Sequence, residues 1–296
     1  MVIAIADEVR DALAEARPIV ALETTLVAHG FPPGEGIAVA LESERRVREA
    51  GAVPATIGVL DGAVRVGLAA DELERFDANA RKCGPRDLAV AVVQRAVGAT
   101  TVGGTLAVCR AVGIRFLGTG GIGGVHRDPR DVSPDLQELA RTKAVVVSSG
   151  AKSLLDVPAT FELLETLGVP AIGYRTDELP LFYSARGGPR VSARVESADE
   201  AARVAQAHWA IDGRGLLVAQ PPPESLDDVE PLIAEALQLA AAQGVAGQAV
   251  TPFVLSHLHR ESGGRTLTVN AALIAENAAL AAETAVAFGE LSAPEP

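Results

Sequence analysis

The feature that most constrains this chain is a repeated alternation of short apolar segments with amphipathic ones. Pro18–Glu23, Ala144–Ser148 and Leu216–Gln220 are short apolar runs, which are typical of strands buried in a sheet. Between such runs lie segments like Ile37–Ala50, in which apolar residues recur among polar ones as they do on one face of a helix. Strands that alternate with helices form parallel sheets covered on both faces. We therefore expect an α/β fold with a central, mostly parallel sheet flanked by helices on both sides.

Local signals add detail to this fold. Asp61-Gly62 separates Ala55–Leu60 from Ala63–Leu68 and predicts a tight β-hairpin. Ser133-Pro134-Asp135 predicts the start of a helix, because it offers a capping hydroxyl, a proline in the first turn and an acid. Gly263-Gly264 interrupts an alanine-rich, mostly helical last third.

The length and composition fit one compact unit. The chain has 296 residues, of which 48% are hydrophobic, and this is enough to bury one large core. It has no clear internal repeat and no long linker. We expect a single domain over residues 1–296 with a small β-hairpin element, and a frayed tail from about residue 290 to 296.

Charge and cysteine usage narrow the class of partner. The net charge of −12 and the absence of a basic stripe argue against a nucleic-acid partner, whereas one phosphorylated small molecule needs only a few local cations. No apolar run reaches about 18 residues, so we expect no membrane span. The N-terminal segment is too short and too acidic for a signal peptide. Cys83 and Cys109 are interpreted as free thiols in a reducing cytoplasm.

Three residues could carry chemistry on their positions alone. Lys152 follows the strand Ala144–Ser148, where ligands bind in α/β sheets, and it is one of only three lysines beside 23 arginines. Burial would lower the pKa of such an amine and make it nucleophilic, but a surface lysine is an equal alternative. Glu23 ends an apolar strand and suits a general acid, a salt bridge or a cap. Asp131 precedes a helix and could bind a hard cation or act only as a cap.

Two glycine-rich turns are candidates for phosphate binding. Gly98–Thr105 and Gly118–Gly124 each follow an apolar segment, and backbone N–H groups can approach an anion closely in such turns. Neither contains a Walker lysine or the glycine spacing of a dinucleotide site, so tight strand-to-helix turns explain them equally well.

Several stretches together resemble the pseudouridine-5′-phosphate glycosidase family, whose fold is that of indigoidine synthase A. The resemblance covers nearly the whole chain and includes ALETTLVAHGFP, GAVPATIGVLDGAVRVGL, KCGPRDL, GATTVGGT, GTGGIGGVHR, DVSPDLQEL, SSGAKSLLD, GVPAIGY, TPFVLSHLHRESGG and TVNAALIAENAALAAE. It implies an enzyme that reversibly cleaves the bond between uracil C5 and ribose C1′, giving uracil and ribose 5-phosphate. It also implies a role in pseudouridine catabolism.

The resemblance assigns roles to individual residues. It makes Lys152 the lysine that forms an imine with C1′ and Glu23 the acid that protonates the ring oxygen. It implies a divalent cation at Asp131, Mn²⁺ first, with Mg²⁺ or Fe²⁺ as alternatives. It implies substrate contacts from Lys82, from Val102 through its backbone, and from Ser133, Pro134 and Asp135. It also places Thr119, His126 and Asn277 near the uracil. It further implies a cytoplasmic homotrimer.

Two departures from the family pattern affect these assignments. Pro134 stands where the family often has alanine, and proline has no N–H to donate to a phosphate. Glu276 stands beside Asn277 where the family often has paired asparagines, so only Asn277 of the pair can act as an asparagine. Two other functions stay open: a C-glycosidase of a pigment pathway similar to the indigoidine-synthesis A protein, and a non-catalytic nucleotide-binding protein.

Overall fold

A computed structural model describes residues 3–127, 131–245 and 247–292 of the chain. In these ranges the strands are β1 (Ile3–Ile5), β2 (Ile19–Glu23), β3 (Val53–Leu60), β4 (Ala63–Val66), β5 (Arg81–Cys83), β6 (Gly98–Thr100), β7 (Phe116–Gly118), β8 (Val145–Ser148), β9 (Ala171–Tyr174), β10 (Ala193–Val195) and β11 (Leu216–Ala219). The helices are α1 (Asp7–Ala14), α2 (Thr25–His29), α3 (Glu35–Glu49), α4 (Ala70–Leu73), α5 (Leu88–Val93), α6 (Val102–Val112), α7 (Pro134–Arg141), α8 (Val157–Thr166), α9 (Ala198–Ala210), α10 (Glu230–Ala242), α11 (Val250–Glu261) and α12 (Arg265–Ser292), with a 3₁₀ turn at Gly247–Ala249.

The strands form one mixed sheet. Its main path runs β1-β4-β3-β2-β7-β8-β11-β9-β10, and β6 joins β3 while β5 joins β6. The β3–β4 and β3–β6 pairs are antiparallel, whereas the other pairs are parallel. Helices cover both faces of the sheet, which confirms the predicted α/β architecture.

Three neighbouring strands determine where functional side chains can meet. β2 pairs in parallel with β7, and β7 pairs in parallel with β8. Their residues are almost entirely buried, because both faces of this part of the sheet are covered by helices. Since parallel strands end at the same edge, the residues at and after Glu23, Gly118 and Ser148 converge there. This is the edge at which open α/β sheets bind ligands.

The long helix α12 crosses the centre of the molecule. It packs against α3 and α9 and against the ends of β2, β7 and β8. Among the described residues it is the one helix that is long and apolar enough to cross a membrane, but 61% of its apolar window is buried inside the protein. Its window is apolar only on average, since asparagine and glutamate residues interrupt it, and its burial is that of a core helix.

The predicted hairpin is confirmed, since β3 and β4 pair across Asp61 and Gly62. Both turn residues have positive φ, 53° and 82°, as a tight two-residue hairpin turn requires. The glycine-rich stretch Gly98–Thr105, a candidate for phosphate binding or for a tight strand-to-helix turn, spans strand β6, the single linking residue Thr101 and the first turn of α6. Residues 290–292, expected in a frayed tail, belong to α12, and residues 293–296 lie outside the described ranges.

Candidate active site

Glu23 and Thr119 form a buried pair at the edge where β2 and β7 end. Glu23 is the last residue of β2 and is 4% exposed, and Thr119 follows β7 and is fully buried. The Thr119 hydroxyl donates a hydrogen bond of 2.5 Å to Glu23 Oε1. Burial raises the pKa of Glu23 because it penalises the carboxylate, while the positive charge of Lys152 and the Thr119 hydroxyl act in the opposite direction. Glu23 is therefore suited to hold a proton at a higher pH than an exposed glutamate.

Lys152 lies on the loop that follows β8, the strand next to β7. The loop is held against the glycine-rich segment after β7: Lys152 N donates to Ile122 O at 3.1 Å and Ile122 N donates to Gly150 O at 3.0 Å. The Lys152 side chain reaches the same pocket as Glu23. Glu23 and Lys152 therefore share one site, although they are 129 positions apart in the sequence.

Lys82 reaches the site from a different part of the sheet. It lies in β5, which pairs with β6 and through it with β3. Burial lowers the pKa of Lys82, and the neighbouring positive charge of Lys152 lowers it further, whereas Asp135, Glu23 and Asp131 oppose the shift. The site therefore combines two lysines and three carboxylates of different burial.

Two adjoining cavities meet at these lysines. The inner pocket is largely apolar and is lined by Glu23, Thr119 and the side chains of Leu26, Phe31, Phe182, Leu255, Asn270 and Ile274. The outer cavity is polar and is lined by Arg86, His126, Asp131, Ser133, Pro134, Asp135 and Arg141. Lys82, Lys152 and Thr251 line both. An apolar ring and an anionic group on one ligand could thus occupy the two cavities with the lysines between them.

Asp135 connects the two glycine-rich segments beneath the outer cavity. It is 3% exposed, and its carboxylate accepts hydrogen bonds from Gly103 N at 2.7 Å and Gly123 N at 2.8 Å. A Cβ at either glycine would lie within 3.0 Å of this carboxylate, so both positions require glycine. Asp135 thereby holds the start of α6 beside the glycine-rich segment that follows β7. Val102, the first residue of α6, is buried at this junction.

The turn at Ser133 begins α7 as predicted. Ser133 Oγ accepts a hydrogen bond from Asp135 N, and Pro134 is the first helical residue. Ser133 N donates to Gly124 O at 2.9 Å. Both backbone N–H groups of this three-residue segment are thus engaged within the protein, and Pro134 has none. A phosphate at this helix start would depend on the Ser133 hydroxyl and on nearby cations rather than on these N–H groups.

Asp131 is the predicted metal ligand. Its side chain is 44% exposed and faces the outer cavity, and its Oδ2 lies 3.8 Å from His126 Nε2. Within the described ranges no cluster of three or more His, Cys, Asp or Glu side chains is arranged to hold a metal ion. One accessible carboxylate beside a cavity fits a hard cation that takes most of its ligands from water and substrate, but not a metal caged by protein.

Of the three residues that sequence analysis placed at the uracil, Thr119 lines the inner pocket, whereas His126 and Asn277 do not. His126 lines the outer cavity beside Asp131. Asn277 is 1% exposed, and its amide donates to Thr119 O at 2.8 Å and Ser149 Oγ at 3.1 Å. Asn270 was missed: it lies two helical turns earlier on α12, lines the inner pocket, and its Oδ1 has no donor within reach in the described part of the chain. The seven-residue spacing of the two asparagines on one helix face was the available signal.

Glu276 does not add its charge to the site. Its carboxylate forms an ion pair of 2.6 Å with Arg46 of α3, on the side of α12 that is partly exposed. Since adjacent helical residues project about 100° apart, Asn277 can face the sheet while Glu276 faces α3. This departure from the family pattern is therefore accommodated outside both cavities.

Two solved structures are similar to this fold over almost its whole length. The prealnumycin C-glycosynthase AlnA, solved in complex with ribulose 5-phosphate, superposes with a TM-score of 0.88 at 42% identity and covers 98% of both chains. An indigoidine synthase A-like protein from Thermotoga maritima superposes with a TM-score of 0.86 at 40% identity, covering 93% of this chain and 94% of that one.

Curated relatives are similar over the same length. The pseudouridine-5′-phosphate glycosidase of Chloroflexus aurantiacus is 47% identical over 305 residues, covering 97% of this chain and 99% of that protein. The one from Symbiobacterium thermophilum is 48% identical, covering 95% and 96%. The family model described as "Indigoidine synthase A like protein" matches residues 8–287. The chain thus belongs to the indigoidine synthase A-like family.

Proposed function

We propose that this protein reversibly cleaves the C-glycosidic bond of pseudouridine 5′-phosphate to give uracil and ribose 5-phosphate. The observation that carries the proposal is the meeting of Lys152 and the buried acid Glu23 in an apolar pocket that adjoins a polar cavity lined by both cations and carboxylates. The names of the full-length relatives support the substrate, and the pentulose phosphate bound by AlnA supports a sugar-phosphate site.

The chemistry explains why a lysine is needed. An ordinary glycosidase protonates a leaving oxygen with one of two carboxylates. Here the leaving atom is carbon C5 of uracil, which has no lone pair to protonate and takes the bonding electrons with it, so C1′ is left short of an electron pair. An amine supplies it, because its lone pair forms a C=N bond as the C–C bond breaks.

The proposed sequence begins with ring opening. Protonated Glu23 donates its proton to the ribose ring oxygen as the C1′–O4′ bond breaks, and the Lys152 amine bonds to C1′. The Glu23 carboxylate then takes a proton from the attacking nitrogen, which restores the acid. The C1′–C5 bond breaks next: its electron pair passes to C5, which takes the proton of the restored Glu23 acid, and the nitrogen lone pair forms the protonated imine. Water hydrolyses this imine and releases ribose 5-phosphate, and the lysine ammonium returns its proton to Glu23.

The outer cavity is the proposed phosphate end. Lys82 and Lys152 line both cavities. Arg86 and Arg141 line the outer one but lie 3.7 Å and 3.6 Å from the carboxylates of Asp87 and Glu138, so a phosphate there would depend mainly on the two lysines. The Ser133 hydroxyl is positioned at the start of α7, where the helix dipole favours an anion. We assign the phosphate to Lys82 and Ser133, with Asp135 and Val102 holding the two glycine-rich segments in place.

The inner pocket is the proposed uracil end. Its apolar side chains suit the faces of a flat ring, and Asn270 supplies an amide that can both donate to and accept from a uracil edge. Thr119 lines this pocket, but its hydroxyl is engaged with Glu23. We therefore assign Asn270 rather than Asn277 to the uracil, with His126 nearer to the phosphate.

The proposed cofactor is one Mn²⁺ per subunit, with Mg²⁺ or Fe²⁺ as alternatives. Asp131 would hold it together with water and oxygens of the substrate, which suits a hard cation. When bound, the ion would supply positive charge to neutralise the substrate's phosphate end. We also propose a cytoplasmic homotrimer that acts in pseudouridine catabolism.

A second candidate reaction uses the same site. AlnA is named as a C-glycosynthase, so a C-glycosidic substrate of a pigment pathway would fit the same lysine and acid. A non-catalytic nucleotide-binding protein is disfavoured, because binding needs no amine beside a buried acid. Comparing turnover of pseudouridine 5′-phosphate with that of other C-ribosides separates the two enzymes.

Trapping with borohydride tests the imine. The protein is incubated with ribose 5-phosphate, reduced, digested and mapped by mass spectrometry. We expect one stable sugar-phosphate adduct on the peptide containing Lys152, and both adduct and cleavage activity should be lost in Lys152→Ala. Lys143→Ala is the matched control, because Lys143 stacks on Trp209 away from the site and should leave both intact. An adduct on Lys82, or full activity in Lys152→Ala, would refute the mechanism.

The pH dependence tests Glu23. As an acid, Glu23 acts only while protonated, so kcat/KM should fall as pH rises through its pKa, which burial has raised. Glu23→Gln should lower kcat by about 10²–10⁴-fold and remove this alkaline limb. Glu44→Gln is the control, because burial raises the pKa of Glu44 as well, but Glu44 bonds to Thr56 and lines neither cavity. An unchanged limb in Glu23→Gln would exclude Glu23 as the acid.

Metal removal tests Asp131. Dialysis against a chelator should abolish cleavage, and Mn²⁺ should restore it in the wild type. Asp131→Asn should need a much higher Mn²⁺ concentration for half-maximal activity, because it removes the charged ligand. Gln137→Ala, at another position lining the outer cavity, serves as the control and should keep the wild-type Mn²⁺ requirement. Full activity of the metal-free protein would contradict the proposal.

A further inference from the structure

Asn277 is a buried amide that no substrate contact explains. It is 1% exposed, and its Nδ2 donates to Thr119 O at 2.8 Å and to Ser149 Oγ at 3.1 Å. Its Oδ1 is also buried, and no donor in the described part of the chain lies within hydrogen-bond reach of it. A buried oxygen without a partner costs stability, so an apolar residue would serve the core better at this position. The amide therefore calls for a functional explanation.

One partner of Asn277 leads directly to the acid. Its amide holds the carbonyl of Thr119, and the hydroxyl of the same residue donates to Glu23 Oε1 at 2.5 Å. Thr119 N is also fixed, because it donates to Val147 O at 3.0 Å. Because both the backbone N–H and the backbone C=O of Thr119 are hydrogen-bonded, the position of its side chain is restricted. Its hydroxyl therefore stays within hydrogen-bond distance of the Glu23 carboxylate.

The other partner leads to the nucleophile. Ser149 begins the loop after β8 that carries Lys152 three residues later. Ser149 N donates to Gly120 O at 2.9 Å, so this loop is already joined to the segment after β7. The amide of Asn277 adds a side-chain link between the same two segments at the point where they leave the sheet.

The approach of α12 makes this link possible. A Cβ on Gly118, the last residue of β7, would lie 2.7 Å from Ala278 Cα, so only glycine allows the helix to come this close. The short side chain of Asn277 then reaches the backbone of the strand ends. Helix α12 also carries Asn270 into the inner pocket, so the same helix contacts that pocket and the strand ends beside it.

We propose that Asn277 is a positioning residue that joins the ends of β7 and β8, holding the Thr119 hydroxyl on Glu23 and the Lys152 loop at a fixed distance from it. This role deepens the proposed function and rests on it for the identities of the acid and the nucleophile. It does not require Asn277 to touch the substrate.

The protonation of Glu23 reports on this link directly. The charged groups that face Glu23 are Lys152, Lys82 and Asp135, and none of them is altered in the test. The Thr119 hydroxyl stabilises the Glu23 carboxylate, so losing its hydrogen bond raises the pKa of Glu23. In Asn277→Ala the freed Thr119 should release Glu23, and the acid should stay protonated to a higher pH. Thr119→Val should have the same effect.

The experiment is an infrared titration of the Glu23 carboxyl band, identified as the band missing in Glu23→Gln, in each variant. We expect the titration to move to higher pH in Asn277→Ala and in Thr119→Val, and the double variant to move no further than either. Thr284→Ala is the matched control: it removes another buried hydrogen bond of α12, from Thr284 to Leu280 O, and should leave the titration unchanged. Because the infrared titration needs no turnover, it tests the role of Asn277 even if the proposed reaction is wrong.

Activity gives a second measure in an active wild type. We expect Asn277→Ala to lower kcat by about 100-fold with little change in KM, as a small misplacement of reacting groups does. Ser149→Ala, which spares the Thr119 contact, should lower kcat without moving the Glu23 titration. The proposal is overturned if the Glu23 band of Asn277→Ala titrates as in the wild type, or if Asn277→Ala and Thr119→Val shift it additively. If Asn277→Ala does not fold, an unchanged kcat in Ser149→Ala overturns it.

Discussion

The site depends on the parallel pairing of β2, β7 and β8, because this pairing brings Glu23, Thr119 and the Lys152 loop to one edge of the sheet. The three segments are far apart in the sequence and are joined here by backbone hydrogen bonds within a buried sheet. The same burial that stabilises the strands desolvates Glu23 and raises its pKa. Burial of this part of the sheet therefore both stabilises the fold and prepares Glu23 to act as an acid.

Polarity divides the site as the proposed substrate requires. The inner pocket offers apolar side chains and one amide to a flat ring, and the polar outer cavity offers Lys82 and Lys152 to a phosphate. Lys152 lies where the two meet, which is where C1′ of a nucleotide with its base inside and its phosphate outside would lie. Asp135 stabilises this arrangement, because its buried carboxylate accepts hydrogen bonds from Gly103 and Gly123 and so joins the two glycine-rich segments.

Local signals predicted much of the fold, because they depend on nearby residues. The Asp61-Gly62 hairpin and the Ser133 helix start are set by turn geometry and capping. Lys152 and Glu23 could be identified as candidate residues because each lies at or after the end of a predicted strand. Only the family resemblance assigned them to one reaction. Asn270 was missed, because its role depends on how α12 lies across the sheet and not on its neighbours. The direction of Glu276 toward Arg46 likewise depends on the packing of α3.

The central claim is that Lys152 attacks C1′ of an opened ribose while the phosphate lies in the outer cavity. A crystal structure of the wild type soaked with ribose 5-phosphate tests it most directly. We expect continuous electron density from Lys152 Nζ to C1 of an open-chain sugar, with the phosphate beside Lys82 and Ser133. A closed sugar with no bond to Lys152, or a phosphate in the inner pocket, would contradict it.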